Sequence, residues 1–347
     1  MSLVEHFEIR GSHFEVGLAI GERFSEQIHR ALENYPFFRE QLLPYHRSPE
    51  GQVRYQDLLE LNRLCYPDYV SELEGLAQGA RRPFEELFLV NLRGEYQEHL
   101  RELGHGCFDC ALVTDGAALI GHNEDGSPAF RGSLYLVQAQ VEGKPRFTAL
   151  SYPGFLCGNA FGFNSEGICF SVDNVRPRGS KLGVGRHFLA RSLLEAASLD
   201  DAIGRVTISG RASGFGYTIG SIHERRVVYV EAAPKVHQVR EIRGCYVHAN
   251  HYLELAGVAQ IVDPSSWARV ERANAILESG PLLDAAGVLS LLGDEANEEY
   301  PIYRTATPPD KSATFHTVLF DLDARRLRIY TGHPVRDAAE FVELDLK

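Results

Sequence analysis

The stretch GCFDCALVTDGAALIGHNEDG, residues 106–126, reads as two short strands joined by a turn. From Cys107 the apolar residues recur with a period near two, and Asp115-Gly116 falls between two apolar runs, which is a strong hairpin signal. The return strand ends in Asn123-Glu124-Asp125 and brings Asp125 back beside Cys107. A Gly-Cys bond that opens such a strand suggests a nucleophile freed by cutting the Gly106–Cys107 peptide. A thiolate is a strong nucleophile but needs a base at neutral pH. A freed α-amino group, with an ordinary pKa of about 7.7–8.0, supplies that base within the same residue. Gly106 would permit the strained backbone of an N-to-S acyl shift and clear space at the scissile carbonyl.

Working outward, residues 12–102 read mostly as helices. SHFEVGLAIGERFSEQIHRALENY (12–35) has helical spacing, and Ser12 can cap it. Further helices are expected through DLLELNRLCYP (57–67), through YVSELEGLAQGA (69–80) with a break at Gly79, and through PFEELFLVNLRGEYQEHL (83–100). The character changes at Gly104-His105-Gly106, the natural processing or domain boundary. Beyond it come strands at SLYLVQAQV, PRFTALSY, AFGFN and ICFSVDNV, the helix HFLARSLLEAA, strands YTIGSIH and RVVYVEAA, CYVHANHYL, the helix SSWARVERANAILES, and closing strands ATFHTVLFDLD and RRLRIYTG. Such blocks predict an α+β fold of sheets covered by helices.

The 347 residues suffice for one large domain or two ordinary ones. A formal charge of −12 argues against nucleic acid and anionic membrane as partners. The Met1 segment has neither a basic nor an apolar signal region, and no stretch approaches a membrane span, so a cytoplasmic protein is expected. Six cysteines in this length predict reduced thiols rather than a disulfide scaffold.

The chain resembles the acyl-CoA:6-aminopenicillanate acyltransferase family of self-processing N-terminal-nucleophile enzymes. GSHFEVGLAIGERF (11–24) resembles the family's Gly-x-x-x-Glu-x-Gly-x-x-x-Gly opening, and YVSELEGLAQGARRPFEELFLVNLRGE (69–95) its next two helices. Residues 106–126 match its nucleophile hairpin. GFNSEG (162–167), VEAAP (230–234), HANH (248–251), SSWARVERA (265–273) and SATFHTVLFD (312–321) match later landmarks in order. The GH-x-ED form and LSYPGFLCG (150–158) look closest to the N-β-alanyl-dopamine and carcinine hydrolases.

The resemblance implies a four-layer αββα sandwich, with residues 1–106 as a helical pro-region packed on a catalytic body of 107–347. It implies an enzyme that cuts itself at Gly106/Cys107 and cleaves a small N-acyl amide through an acyl-thioester. An acyltransferase using acyl-CoA, or an unprocessed binding protein of the same fold, is the alternative. The cleaved fragments would stay associated, self-association into a homo-oligomer is compatible, and neither metal nor organic cofactor is expected.

By the same resemblance Cys107 is the nucleophile, Asp125 orients its amine, and Asn250 donates to the oxyanion, as a neutral amide can without titrating. Asn123 is expected to bond the turn, and Asn174 to line the pocket or cap a turn. Ser213 falls where the family has a serine implicated in processing, or is simply a loop residue before the strand YTIGSIH. Lys311 falls where related enzymes often carry an arginine, though it lacks the planar fork, or is a solvated loop residue in PPDKS. His248 and His251 are not read as metal ligands, because no third ligand is suggested nearby.

The family usually has Ser or Thr in the two places after the nucleophile, where this chain has Phe108 and Asp109. Asp109 is expected either to stand in for the hydroxyl or to impair self-cleavage, and its charge to favour a cationic substrate. Cys107 and Cys110 form a C-x-x-C, but on an alternating strand their side chains point to opposite faces.

Overall fold

The computed structural model describes residues 4–96, 100 and 106–346. Residues 97–99 and 101–105, which carry the end of the fourth expected helix and most of the Gly104–Gly106 junction, lie outside the described residues.

Two β-sheets lie face to face between helical layers. The first has eight strands in the order β1-β4-β5-β6-β7-β8-β9-β10. These are β1 (Glu5–Gly11), β4 (Tyr135–Val141), β5 (Arg146–Ser151), β6 (Phe161–Asn164), β7 (Ile168–Asp173), β8 (Gly216–Ser221), β9 (Arg226–Ala232) and β10 (His237–Glu241). The second has six, in the order β11-β2-β3-β12-β13-β14. These are β11 (Gly244–His248), β2 (Phe108–Val113), β3 (Ala118–Gly126), β12 (Ala313–Asp321), β13 (Arg326–Tyr330) and β14 (Phe341–Asp345). Every pairing is antiparallel except β1 with β4. The inner faces meet where β2 and β3 approach β7 and β9.

The N-terminal helices are α1 (His13–Arg23), α2 (Ser25–Asn34), α3 (Leu43–His46), α4 (Pro49–Cys65), α5 (Pro67–Ala80) and α6 (Phe84–Asn91). With α7 (Arg186–Leu193) and α8 (Leu199–Val206) they cover the eight-stranded sheet. α9 (Pro264–Ser279) and α10 (Ala285–Leu292) cover the six-stranded one. The expected αββα layering is therefore present.

Local sequence explains most elements. Ser12 forms a full capping box with Glu15 at the start of α1. Asp263 and Asp284 cap α9 and α10. The hairpin closes through a four-residue loop in which the Thr114 hydroxyl accepts from Gly116 and Ala117 N–H. Three departures have physical causes. The expected break at Gly79 is absent, and α5 runs through to Ala80. A Cβ on Gly79 would sit 2.1 Å from the Leu18 carbonyl oxygen, and one on Gly75 2.1 Å from that of Phe14, so these glycines seat α5 directly on α1. The helix expected over 83–100 gives way after Asn91 to a 3₁₀ turn, Arg93–Tyr96, in which Gly94 packs against the Arg186 guanidinium. Strands β1, β10 and β14 carried no expectation. They are sheet edges, and edge strands tolerate polar side chains that hide their alternation.

Candidate active site

β2 and β3 pair with Phe108 opposite Asn123. Continuing that register sets Cys107 opposite Glu124, at the mouth end of the hairpin. Strand alternation then sorts the side chains. Cys107, Asp109, His122 and Glu124 turn inward between the sheets. Phe108, Cys110 and Asn123 turn outward beneath α9 and α10.

The Cys107 thiol is buried and lies 3.5 Å from Glu124 Oε1 and 3.8 Å from the Asp125 carbonyl oxygen. It opens on a small pocket of about 50 Å³ walled by Tyr35, Phe130, Tyr152, Phe155 and Phe215, with Arg93, Asn159 and Asn174 among its polar groups. Burial, and then the Glu124 carboxylate, push the thiol well above its ordinary pKa.

On the other side of the Cys107 backbone, two arginines converge. Arg269 of α9 donates from Nη1 to the Cys107 carbonyl (3.1 Å) and to Asp125 Oδ2 (3.2 Å). Its Nη2 donates to the Gly106 carbonyl (3.3 Å) and to Asn250 Oδ1 (2.6 Å). Arg304 donates from Nη1 to the same Gly106 carbonyl at 3.1 Å and is clamped from behind by Asp310. The oxygen of the Gly106–Cys107 peptide thus faces two buried guanidiniums. Burial, then the neighbouring Arg304, lowers the Arg269 pKa to about 10, still charged at neutral pH. Asp125 also accepts from the Thr314 hydroxyl at 2.6 Å, beside an irregularity in β12 that shifts the register between Thr314 and His316. Burial raises Asp125 to about 6, against the pull of Arg304 and Arg269.

Asn250 packs on Gly106 so tightly that a Cβ there would meet its amide at 2.3 Å. Its backbone N–H is held by the Ser266 hydroxyl at 2.7 Å, while the buried Nδ2 donor has no partner among the described residues.

The structure therefore brings Cys107, Asp125 and Asn250 together. Asn174 lines the same pocket and accepts from Arg186 at 2.8 Å. Asn123 and Asp109 depart from their expectations, and Ser213 and Lys311 follow the second of the two readings open to each. Asn123 bonds no turn and faces away from the pocket, donating to Leu292 and Ile302 carbonyls and accepting from Thr317. Ser213 is buried at 3.5 Å from the Gly94 carbonyl and does not line the pocket. Lys311 is exposed, as its reading as a solvated loop residue has it, and Arg269 and Arg304 supply the positive charge beside Cys107. Asp109 is not open to a substrate, because His122, Ser171 and Thr218 already occupy its carboxylate.

Cys110, on the opposite face from Cys107, lies with its sulfur 3.8 Å from that of Cys245. Cys107, His122 and Glu124, and Asp109, His122 and Asp173, each group three metal-type donors within 4.8 Å. Both His122 nitrogens are already engaged by carboxylates, which disfavours ligation. His248 is likewise held, between Asp173 at 2.9 Å and the His251 carbonyl at 2.8 Å.

Sequence reasoning missed Glu124, Arg269, Arg304 and Arg93. One signal was available for Arg269. Ser266, Arg269, Val270 and Ala273 fall on one helical stripe, and all are buried, so a charge stands where an apolar residue is the rule.

A model of the acyl-coenzyme A:6-aminopenicillanic acid acyl-transferase family matches residues 112–336. β-Alanyl-dopamine/carcinine hydrolase of Drosophila melanogaster is 27% identical over 358 residues, covering 94% of this chain and 92% of that protein. The 40 kDa form of acyl-coenzyme A:6-aminopenicillanic-acid-acyltransferase of Emericella nidulans is 26% identical over 347 residues, covering 97% of this chain and 95% of that protein. Among solved structures, a variant of conjugated bile acid hydrolase from Clostridium perfringens aligns with a TM-score of 0.48 at 14% identity, over 69% of this chain and 92% of that one.

Proposed function

Since this chain belongs to the acyl-coenzyme A:6-aminopenicillanic acid acyl-transferase family, and its relatives include a hydrolase and an acyltransferase, we propose that it is a self-processing amidohydrolase with Cys107 as nucleophile. The observation that carries this reading is the Gly106–Cys107 peptide itself. Its carbonyl oxygen accepts from both Arg269 and Arg304, and the adjoining thiol is buried in the pocket. Fixed positive donors aimed at a carbonyl oxygen stabilise the negative charge that develops when a nucleophile adds to that carbon.

In self-cleavage the Cys107 sulfur adds to the Gly106 carbonyl carbon. The C–N bond breaks as the nitrogen gains a proton, and water then hydrolyses the thioester. Gly106 is left as a carboxylate and Cys107 as a new N-terminus. In turnover the freed α-amino group takes the thiol proton and the sulfur attacks the substrate amide. The unpartnered Asn250 Nδ2 donates to the oxyanion. The amine product leaves with the shuttled proton, and water releases the acid. Asp125, through the Arg269 fork, keeps the Cys107 backbone in register with this donor. The substrate is a small N-acyl amide, in keeping with the size of the pocket, and the β-alanyl amides in the name of the Drosophila relative are the first to screen.

Intact mass under denaturing conditions tests the reading. Two fragments that sum to the chain, the larger beginning at Cys107, are expected from the wild type, and one full-length mass from Cys107→Ala. A whole wild-type chain that hydrolyses no amide would overturn it.

A further inference from the structure

Glu124 has no part in the reading above, yet its carboxylate accepts from the Cys107 thiol at 3.5 Å. Three donors converge on its carboxylate. Tyr152 Oη lies 2.5 Å from Oε1, the Cys107 thiol lies 3.5 Å from the same oxygen, and His122 Nε2 lies 3.1 Å from Oε2. His122 in turn lies 2.5 Å from Asp109 Oδ1 through Nδ1. Burial alone would lower the His122 pKa, but the Asp109 carboxylate carries it above the ordinary value, and each ring nitrogen faces a carboxylate. Asp109 is anchored across the sandwich by Ser171 of β7 and Thr218 of β8. The row Cys107–Glu124–His122–Asp109 is thus fixed to both sheets.

Before the chain is cut, the Cys107 nitrogen is an amide and cannot serve as a base. Burial and the adjacent carboxylate also disfavour a free thiolate, so the proton must leave as the sulfur attacks. Among the described residues the thiol has two acceptors, Glu124 and the Asp125 carbonyl, and of these the carboxylate is the one that takes up a proton.

We propose that Glu124 is the catalytic base of self-cleavage, with His122 and Asp109 as positioning residues that hold its carboxylate against the Cys107 thiol. The proposal rests on the reading that Gly106–Cys107 is self-cleaved. The thiol proton passes to Glu124 as the S–C bond to Gly106 forms. It then passes from Glu124 to the Cys107 nitrogen as the C–N bond breaks, so the carboxylate is regenerated and no other reactant is consumed before water opens the thioester.

The test is the first-order rate at which freshly synthesised full-length chain yields the fragment beginning at Cys107, followed by intact mass. Glu124→Gln is expected to slow it by about 10²–10⁴-fold, the span of general-base catalysis, without a matching fall in melting temperature. Glu124→Asp should recover part of the rate. Glu124→Ala should be accelerated by added formate, which a purely structural role would not produce. Asp109→Asn should slow cleavage in the wild type but add little to Glu124→Gln, because it acts through that carboxylate. Cleavage of Glu124→Gln at the wild-type rate, or a Glu124→Ala chain indifferent to formate, overturns the proposal while leaving self-cleavage standing. A wild type as inert as Cys107→Ala removes the self-cleavage reading and this proposal with it.

Discussion

A single carbonyl oxygen, that of Gly106, collects two guanidinium donors in a site almost closed to water, where each charge acts at full strength. Arg269 is the more committed of the two, because its fork also holds the Cys107 carbonyl, Asp125 and Asn250. Lysine keeps the charge but not the fork. Arg269→Lys is therefore expected to slow appearance of the Cys107 fragment by about 10²–10³-fold in a time course, as for loss of one oxyanion donor. Asp125 gives a pH test. Its pKa in the folded chain, about 6, exceeds the ordinary 3.8. Folding therefore favours the protonated form, and the stability it contributes is full below about pH 4 and lost as pH rises through 6. The difference is about 3 kcal/mol at 1.36 kcal/mol per unit. Asp125→Asn should accordingly exceed the wild type in urea resistance at pH 7.5, with the gap closing towards pH 4. The same variant should lose self-cleavage, whose wild-type rate should fall on the acid side near pH 6. Cys107 and Asp125 were legible in the sequence as the two ends of one hairpin, although the register sets Glu124, not Asp125, opposite Cys107. Arg269 and Arg304 reach Gly106 from 163 and 198 residues away, a distance no local pattern encodes.

Elements here are decided as much by backbone contact as by side-chain pattern. Gly75 and Gly79 of α5 face the carbonyls of Phe14 and Leu18 of α1, so any Cβ must push two helical backbones apart. Gly204, in α8, has nothing near its missing Cβ. Gly79→Ala is expected to destabilise by about 1–3 kcal/mol despite its better helix propensity. Gly204→Ala should stabilise by about 0.4–1 kcal/mol. Chemical denaturation of the two variants side by side checks both signs. The strands of the hairpin, β4 to β9 and helix α9 could be read from periodicity because each buries a continuous apolar face. The edges β1, β10 and β14 could not, since a strand with one neighbour and a wet face needs no clean alternation.

At the scale of the whole molecule the first third is no detachable prefix. β1 lies parallel to β4 along seven paired residues. Phe24 stacks on Tyr135 at 3.5 Å, and one buried apolar cluster joins α1, α2, α4 and α5 to the strands of the eight-stranded sheet. Separating the two pieces would expose that cluster, at about 25 cal/mol for each Å² of apolar surface. Processed fragments are therefore expected to co-elute in size-exclusion chromatography and to part only in denaturant; a larger fragment that elutes alone in native buffer would contradict this. No described helix is long and apolar enough to cross a membrane. By itself the sequence determined the α+β class, the order of the main strands and helices, and the hairpin that carries Cys107 on one strand and Asp125 on the other. These follow from the 2.0 and 3.6 periodicities and from turn residues, which act between near neighbours. The tertiary structure decided that Asp109 is sealed between the sheets, that Lys311 stays in solvent, and that Arg269, Arg304 and Asn250 close on Gly106. Those outcomes depend on which face of one element meets another from a distant part of the chain, and only the packed sandwich fixes that meeting.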